Sequence, residues 1–221
     1  YFVFSGGQIA VMVTDFLQGV FCNVVFVVII GYFLMKFDWA QIFQGLSTAP
    51  ESASLVNPFK TSQVEDFNFW YFLIGLVGFI YNTMSWQGTQ GYNTSARSAH
   101  EAKMAQVLGN WRNFPRNLFL MFVPVIAYTV LNHPDFLQVT EKVNTALSAV
   151  DSEEVRSQLI VPMVLRYLFP VGLVGAFAAV MLSAFVSNHD TYLHSWGSIL
   201  ILDVIMPFRK KPLTPKQHIR V

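Results

Sequence analysis

Residues 171–188 read VGLVGAFAAVMLSAFVSN, an apolar run that ends in a serine and an asparagine. A helix needs roughly 20 apolar residues to cross the hydrocarbon core of a bilayer, so this run has the length of a membrane-spanning helix. Two further polar side chains, His189 and Asp190, follow without a turn residue between. Polar groups in lipid are costly unless they are satisfied, so the rest of the chain has to supply their partners. Small residues that suit close helix packing recur along the run: Gly172, Gly175, Ala178, Ala179 and Ala184.

The composition of the whole chain is that of a membrane protein. Of its 221 residues, 53% are hydrophobic and 12% are charged, whereas soluble domains carry about 25% charged residues. The single cysteine, Cys22, excludes an internal disulfide. The chain opens on the apolar stretch YFVFSGGQ without a signal peptide, which predicts an internal piece of a longer protein. We therefore expect it in the lipid bilayer of the plasma (inner) membrane, with no nucleic-acid partner.

The sequence predicts an all-α fold, a polytopic bundle of transmembrane helices. Four segments are apolar and long enough to span a membrane: about 9–34, 67–92, 114–131 and 170–189. The second segment turns polar and glycine-rich after Tyr81, as an interrupted helix would, and Pro124 is expected to kink the third. The fourth is expected to continue as a cytoplasmic helical extension to residue 206, where Pro207 ends it. The outer loops are 35–66 and 132–165, and the second of them has the pattern of short amphipathic helices.

Lysine and arginine are concentrated between the second and third segments and after the fourth. These basic residues are Arg97, Lys103, Arg112, Arg116, Arg209, Lys210, Lys211, Lys216 and Arg220. The other two loops are acidic, with Asp38, Glu51, Glu65, Asp66, Asp135, Glu141, Asp151, Glu153 and Glu154. Because short cytoplasmic loops carry the excess of lysine and arginine, residues 92–113 and the C-terminus are predicted to be cytoplasmic. Loops 35–66 and 132–165 are then predicted to face outward.

Two polar positions inside the apolar segments are candidates for ion binding. Asp15 lies about two turns into the first segment, and an ionisable residue at that depth is a functional hypothesis by default. Ser187 and Asn188 are adjacent in the fourth segment, and their hydroxyl and amide oxygens suit Na⁺ or a hydrogen bond. Simpler interpretations stay open. Asp15 can be a structural carboxyl group or a helix N-cap, and the Ser187–Asn188 pair can mark the boundary between membrane and water.

The polar end of the second segment is the candidate wall of a solute site. An aromatic ring beside amides suits a polar organic solute, and the residues concerned are Tyr81, Asn82, Trp86 and Gln87. The same pattern suits a helix end at the level of the lipid headgroups, where tryptophan is common. Both interpretations remain open at this point.

The cluster of His189, Asp190 and His194 invites a metal-binding or catalytic interpretation, because Asp190 and His194 are i, i+4 neighbours. No cysteine accompanies them and no HExxH spacing is present, so a structural hydrogen-bonding cluster is the better interpretation. An intramembrane enzyme built on these three residues is accordingly disfavoured.

Three stretches carry a resemblance to a known family. Residues 6–18, GGQIAVMVTDFLQ, resemble the opening of core helix five of the sodium:solute symporter family. Residues 172–204, GLVGAFAAVMLSAFVSNHDTYLHSWGSILILDV, resemble its core helix eight. Between them SARSAHEAKMA, residues 95–105, looks like the family's cytoplasmic stretch. The resemblance implies a partial transmembrane symporter domain over 1–221, comprising core helices five to eight of a leucine-transporter-type inverted-repeat fold.

The same resemblance implies a sodium site. Matched by position, the family's helix-eight ligands fall on the Ala184 carbonyl and on the Ser187 and Asn188 side chains. Its supporting carboxylate on helix five falls on Asp15. The family usually has serine or threonine at the position of Asn188, whose amide can offer Oδ1 to sodium while Nδ2–H donates to Asp15. Na⁺ is therefore the expected coupling ion.

These features predict a sodium-coupled secondary transporter, not an enzyme, that imports a small polar organic solute across the plasma membrane by alternating access. The sugar-binding pattern of better-known members is not evident around Asn82 and Trp86, so a sugar is not predicted. The alternative is a solute-sensing membrane module of the same fold joined to a signalling domain. No pattern in the sequence specifies an oligomeric state.

Overall fold

A computed structural model of the chain describes residues 2–57, 60, 69–209, 214 and 217. Its main helices are α1 (Phe2–Lys36), α2 (Trp39–Ser47), α3 (Phe69–Met84), α4 (Gln87–Thr94), α5 (Ala99–Asn132), α6 (Leu137–Ser148), α7 (Glu153–Leu168) and α8 (Val171–Ile199). Short 3₁₀ turns cover Glu51–Ala53, Pro134–Phe136 and Met206–Phe208, and a π-helical segment covers Leu200–Ile205. Within the described ranges every regular element is helical, which confirms the predicted all-α fold.

In the described part of the chain, three helical stretches are long and apolar enough to cross a membrane: Ile9–Lys36, Ala99–Asn132 and Val171–Phe208. They have 28, 34 and 38 residues, against the roughly 20 that a bilayer core requires. The first begins just after Gly7, whose φ of 58° breaks the regular helix there. Glycine suits that position because it lacks the Cβ that disfavours positive φ in other residues.

The second predicted segment, 67–92, is divided in the structure. Its apolar part is the shorter helix Trp70–Asn82 within α3, and α4 starts anew at Gln87. Trp86 has extended backbone angles (φ −73°, ψ 124°), so the interruption falls at Ser85 and Trp86, a few residues after Tyr81. Residues 61–68 lie outside the described part of the chain, and the predicted start at 67 falls among them.

The third and fourth predicted segments are both parts of longer helices. α5 begins at Ala99 rather than near 114, so much of the expected 92–113 loop is helical. Residues 99–113 are rich in alanine, glutamate, lysine, methionine and glutamine, which favour a helix even where no packing enforces it. Pro115 and Pro124 lie inside α5. α8 continues past residue 189 to Ile199, and the helical path ends at the turn containing Pro207.

The chain divides into two compact units, and several helices contribute to both. One unit contains residues 23–74 and 111–178. Its core is formed by fully buried side chains of α1, α5, α6 and α7: Ile29, Phe33, Ile126, Val130, Val143 and Val164. Tyr32 of α1 donates its hydroxyl to the Leu168 carbonyl at 2.8 Å. Both α6 and α7 lie in the loop where short helices were predicted.

The other unit contains residues 1–22, 75–110 and 179–221. It includes the first part of α1, the end of α3, all of α4 and most of α8. Its buried side chains include the polar Asp190 and Ser195 as well as the apolar Val11 and Val180, so some polar groups are buried inside it. The ion-binding candidates of the sequence lie in this unit.

Candidate functional site

Asp15 is the centre of a hydrogen-bonded cluster in which three hydroxyl groups meet one carboxylate. Ser187 of α8 donates its Oγ–H to Asp15 Oδ1 at 2.6 Å. Thr191, one turn further along α8, donates to Oδ2 at 3.4 Å. Tyr92 of α4 donates its phenolic hydroxyl to the same Oδ2. Asp15 lies inside α1 rather than at an N-cap, and its half-buried carboxylate has partners on two other helices.

α1 and α8 run antiparallel where this cluster forms. The thiol of Cys22 on α1 also lies close to Ser183 of α8. Cys22 faces Ser183, and the earlier residue Asp15 faces the later residue Ser187. The residue numbers therefore fall along α1 as they rise along α8, which makes the two helices antiparallel. The two contacts fix the register of the facing surfaces over about two turns.

Hydroxyl side chains recur every four residues on the α8 face that meets Asp15. They are Ser183, Ser187, Thr191 and Ser195. Residues four apart lie one above the other on a helix, so these side chains share a face. Ser195 turns its hydroxyl back to the Thr191 carbonyl at 2.8 Å, while Ser187 and Thr191 reach across to α1. This spacing is a signal in the sequence that identifies Thr191, which the motif comparison missed.

The Ser187 hydroxyl donates its proton to Asp15, and its oxygen can still accept a hydrogen bond or coordinate a cation. The 2.6 Å separation from Asp15 Oδ1 is typical of a hydroxyl donating to a carboxylate. Since the only hydroxyl proton points at Asp15, the oxygen lone pairs of Ser187 remain available to a cation or a donor. An oxygen ligand of this kind is what a hard cation such as Na⁺ requires.

Asn188 does not take the role expected for its amide nitrogen. Its side chain is exposed, and the donors to Asp15 in the described structure are Ser187, Thr191 and Tyr92. The reason is helix geometry, because adjacent residues project about 100° apart while i, i+4 residues share a face. Ala184 is also exposed and lies inside the continuous helix α8. Its carbonyl oxygen uses one lone pair in the helical hydrogen bond and has a second lone pair for another partner.

The solute candidates lie at the break between α3 and α4. Tyr81 and Asn82 belong to the last turns of α3, and the Tyr81 carbonyl accepts from the backbone N–H groups of Ser85 and Trp86 at 2.9 and 3.2 Å. Trp86 immediately precedes α4, and its ring lies 5.8 Å from the Tyr192 ring of α8. The side chain of Gln87 lies outside the part of the chain that the structure describes.

The residues that suggested a metal or catalytic cluster are not assembled as one. His189 is exposed, its Nδ1 hydrogen-bonds to the Phe185 carbonyl at 2.8 Å, and its ring stacks on Phe185 with centroids 4.1 Å apart. Asp190 is buried, and its Oδ2 has no donor among the described residues; the same holds for Gln18 Oε1. No group of three His, Cys, Asp or Glu side chains suited to a metal occurs in the described ranges.

The comparisons with known proteins bear on the chain as a whole. The family model described as the sodium:solute symporter family matches residues 1–220. Comparison with curated proteins and with solved structures gives no significant match. The family match confirms the resemblance seen in the three sequence stretches, and the long apolar helices agree with a helical membrane transporter. The chain therefore belongs to the sodium:solute symporter family, whose members are multi-pass membrane proteins that couple the movement of a small solute to sodium.

Proposed function

We propose that this chain forms part of a transporter that imports a small polar organic solute together with Na⁺ by alternating access. The observation that carries the proposal is the 2.6 Å hydrogen bond from Ser187 Oγ to Asp15 Oδ1. It joins the helix that would supply sodium ligands to the helix that would supply the supporting carboxylate. The two residues lie 172 positions apart in the sequence, so their contact is a property of the fold rather than of local spacing.

The proposed sodium ligands from this chain are the Ala184 carbonyl, Ser187 Oγ and Asn188 Oδ1. Asp15 supports the site from behind by accepting the Ser187 proton, which leaves the serine oxygen free to coordinate the ion. Thr191 adds a second α8 hydroxyl on the same carboxylate and restricts its rotation. All the proposed ligand atoms are oxygens, which can replace the hydration shell of a hard cation inside an apolar protein.

The solute site is proposed at the break between α3 and α4. A break exposes backbone groups that a continuous helix would satisfy, and discontinuous helices commonly form transporter binding sites. Tyr81, Asn82, Trp86 and Gln87 are the candidate wall. The contact of Trp86 with Tyr192 places the start of α4 against the same helix that carries Ser187.

The membrane potential would drive Na⁺ and the coupled solute toward the cytoplasm, the side on which 92–113 and the C-terminus lie in the proposed orientation. Moving one positive charge inward is worth about 2.3 kcal/mol per 100 mV of membrane potential. At about 1.4 kcal/mol per tenfold change in concentration, one Na⁺ per cycle supports roughly 50-fold solute accumulation before its own gradient is counted. Sodium binding would favour the state that accepts solute from outside, and release of both would follow reorientation.

The substitution Asp15→Asn tests the proposal. It keeps the size of the side chain but removes the carboxylate charge, so the sodium dependence of uptake should weaken markedly. The full protein is reconstituted in vesicles, polar solutes are screened with and without an inward sodium gradient, and the active solute is used for both variants. Equal sodium activation of wild type and Asp15→Asn would overturn the site. Sodium binding without any net solute flux would instead support the sensing alternative.

A further inference from the structure

α4 contacts both helices that form the Asp15–Ser187 pair. Trp86, at the start of α4, packs its ring against Tyr192 of α8. Tyr92, in the last turn and a half of α4, donates to Asp15 of α1. The helix therefore extends from the proposed solute wall at one end to the proposed sodium site at the other.

Tyr92 has a distinct position in the cluster. Asp15 Oδ1 accepts from Ser187, whereas Oδ2 accepts from Tyr92 and, at 3.4 Å, from Thr191. The Thr191 contact is long for a hydroxyl-to-oxygen bond, whose usual range is about 2.5–3.0 Å. The phenol is consequently the main donor to Oδ2 in the described structure, and it is the only one of the three donors that does not come from α8.

α4 is a helix whose own stability is small. It has 8 residues, and two of them are the glycines Gly88 and Gly91. Isolated helices shorter than about 12–15 residues are marginal, and each glycine in a helix costs about 1 kcal/mol relative to alanine. Its position is therefore determined by the contacts it makes with neighbouring helices, and the Tyr92–Asp15 bond is one of them.

We propose that Tyr92 is a positioning residue that couples α4 to the sodium site, by holding the Asp15 carboxylate in the orientation that receives the Ser187 proton. The inference rests on the proposed function and adds a route between the ion and the solute wall. When α4 is docked, Tyr92 fixes Oδ2 and so presents Oδ1 to Ser187. When α4 moves away, the carboxylate loses that restraint. Coupling is reciprocal, so sodium at Ser187 also stabilises the docked position of α4.

Hydrogen exchange with sodium alone as the probe tests the coupling without a known solute. The full protein is compared in NaCl and in KCl at equal ionic strength, and exchange is followed in peptides covering α4 and in peptides covering residues 180–192. In the wild type, Na⁺ should slow exchange in both regions, by about fivefold in α4. In Tyr92→Phe the response should persist at 180–192 and be lost in α4.

The Tyr92→Phe substitution removes one hydroxyl and leaves the ring in place, and residue 92 is 37% exposed, so the protein is expected to fold. Tyr128→Phe makes the same chemical change on α5 in the other compact unit, and should leave both responses unchanged. An α4 response that is equal in the wild type and Tyr92→Phe overturns the inference while the sodium site stands. Absence of any sodium response at 180–192 in the wild type refutes the proposed function itself.

A double-mutant cycle separates positioning through Asp15 from a general structural role. Binding of radiolabelled Na⁺ to the purified protein should show a half-saturating concentration about tenfold higher in Tyr92→Phe, because a hydrogen bond to a charged group is lost. In an Asp15→Asn background, the same substitution should have no additional effect, since the two residues act as one unit. Additive effects in the double variant would contradict positioning through Asp15.

Discussion

Replacing Ser187 by alanine is the sharpest perturbation of the proposed sodium site. The substitution removes the hydroxyl that donates to Asp15 Oδ1 at 2.6 Å, and it removes one proposed oxygen ligand. A hydrogen bond to a charged group contributes about 1.5–3 kcal/mol, which corresponds to roughly 10- to 150-fold in an equilibrium constant. Sodium affinity should therefore fall at least about tenfold, while Tyr92 and Thr191 continue to hold Oδ2.

Two further variants make that result interpretable. Ser187→Thr keeps a hydroxyl at the same position and should retain most of the affinity. Ser198→Ala also removes a hydroxyl from α8. That hydroxyl donates to the His194 carbonyl of its own helix at 2.9 Å, so the sodium affinity should not change. The assay is saturation binding of radiolabelled Na⁺ to the purified full protein, with uptake in vesicles as a second measure. If Ser187→Ala and Ser198→Ala bind sodium equally well, Ser187 is not a ligand and the reasoning fails.

Thr191→Val should raise the half-saturating sodium concentration by less than about threefold, because its 3.4 Å bond to Asp15 is long; an effect as large as that of Ser187→Ala would contradict the ranking of the donors. Gly45→Ala should lower the free energy of unfolding by about 1–3 kcal/mol, because the added Cβ would lie 3.0 Å from Thr129 Cα. Gly31→Ala, with nothing within 4 Å of the added Cβ, is its control in the same thermal-unfolding measurement, and equal stability of both variants would disprove the contact.

Much of the fold follows from local pattern. Apolar length alone predicts the spans of α1, α5 and α8, because a bilayer imposes a minimum number of apolar residues on any helix that crosses it. The structure starts α5 at Ala99, ahead of the apolar segment that the sequence predicts from about 114. Charged residues between 99 and 113 favour a loop between two spans, yet the helix propensity of this stretch extends the helix well beyond its apolar part.

The site was only half visible in the sequence. Asp15 and Ser187 could be proposed because each is a polar residue in an apolar helix, and the structure brings the two side chains together. The sequence does indicate Thr191, because its four-residue spacing from Ser187 puts both side chains on one face of the helix. The adjacent polar residue Asn188 suggested a different pair. The sequence does not indicate Tyr92, since its contact with Asp15 depends on where the interrupted helix places α4, and long-range packing of that kind has no periodic signature.

The close approach of α2 and α5 limits how this region of the protein can move. At Gly45 the two backbones meet with no intervening layer of side chains, and sliding of packed helices requires such a layer to readjust. Gln41 and Gln44 of α2 also bond to Asp135 and His133, just beyond the end of α5. α2 and the end of α5 are therefore expected to move together, so that a transition which displaces one of them has to displace the other.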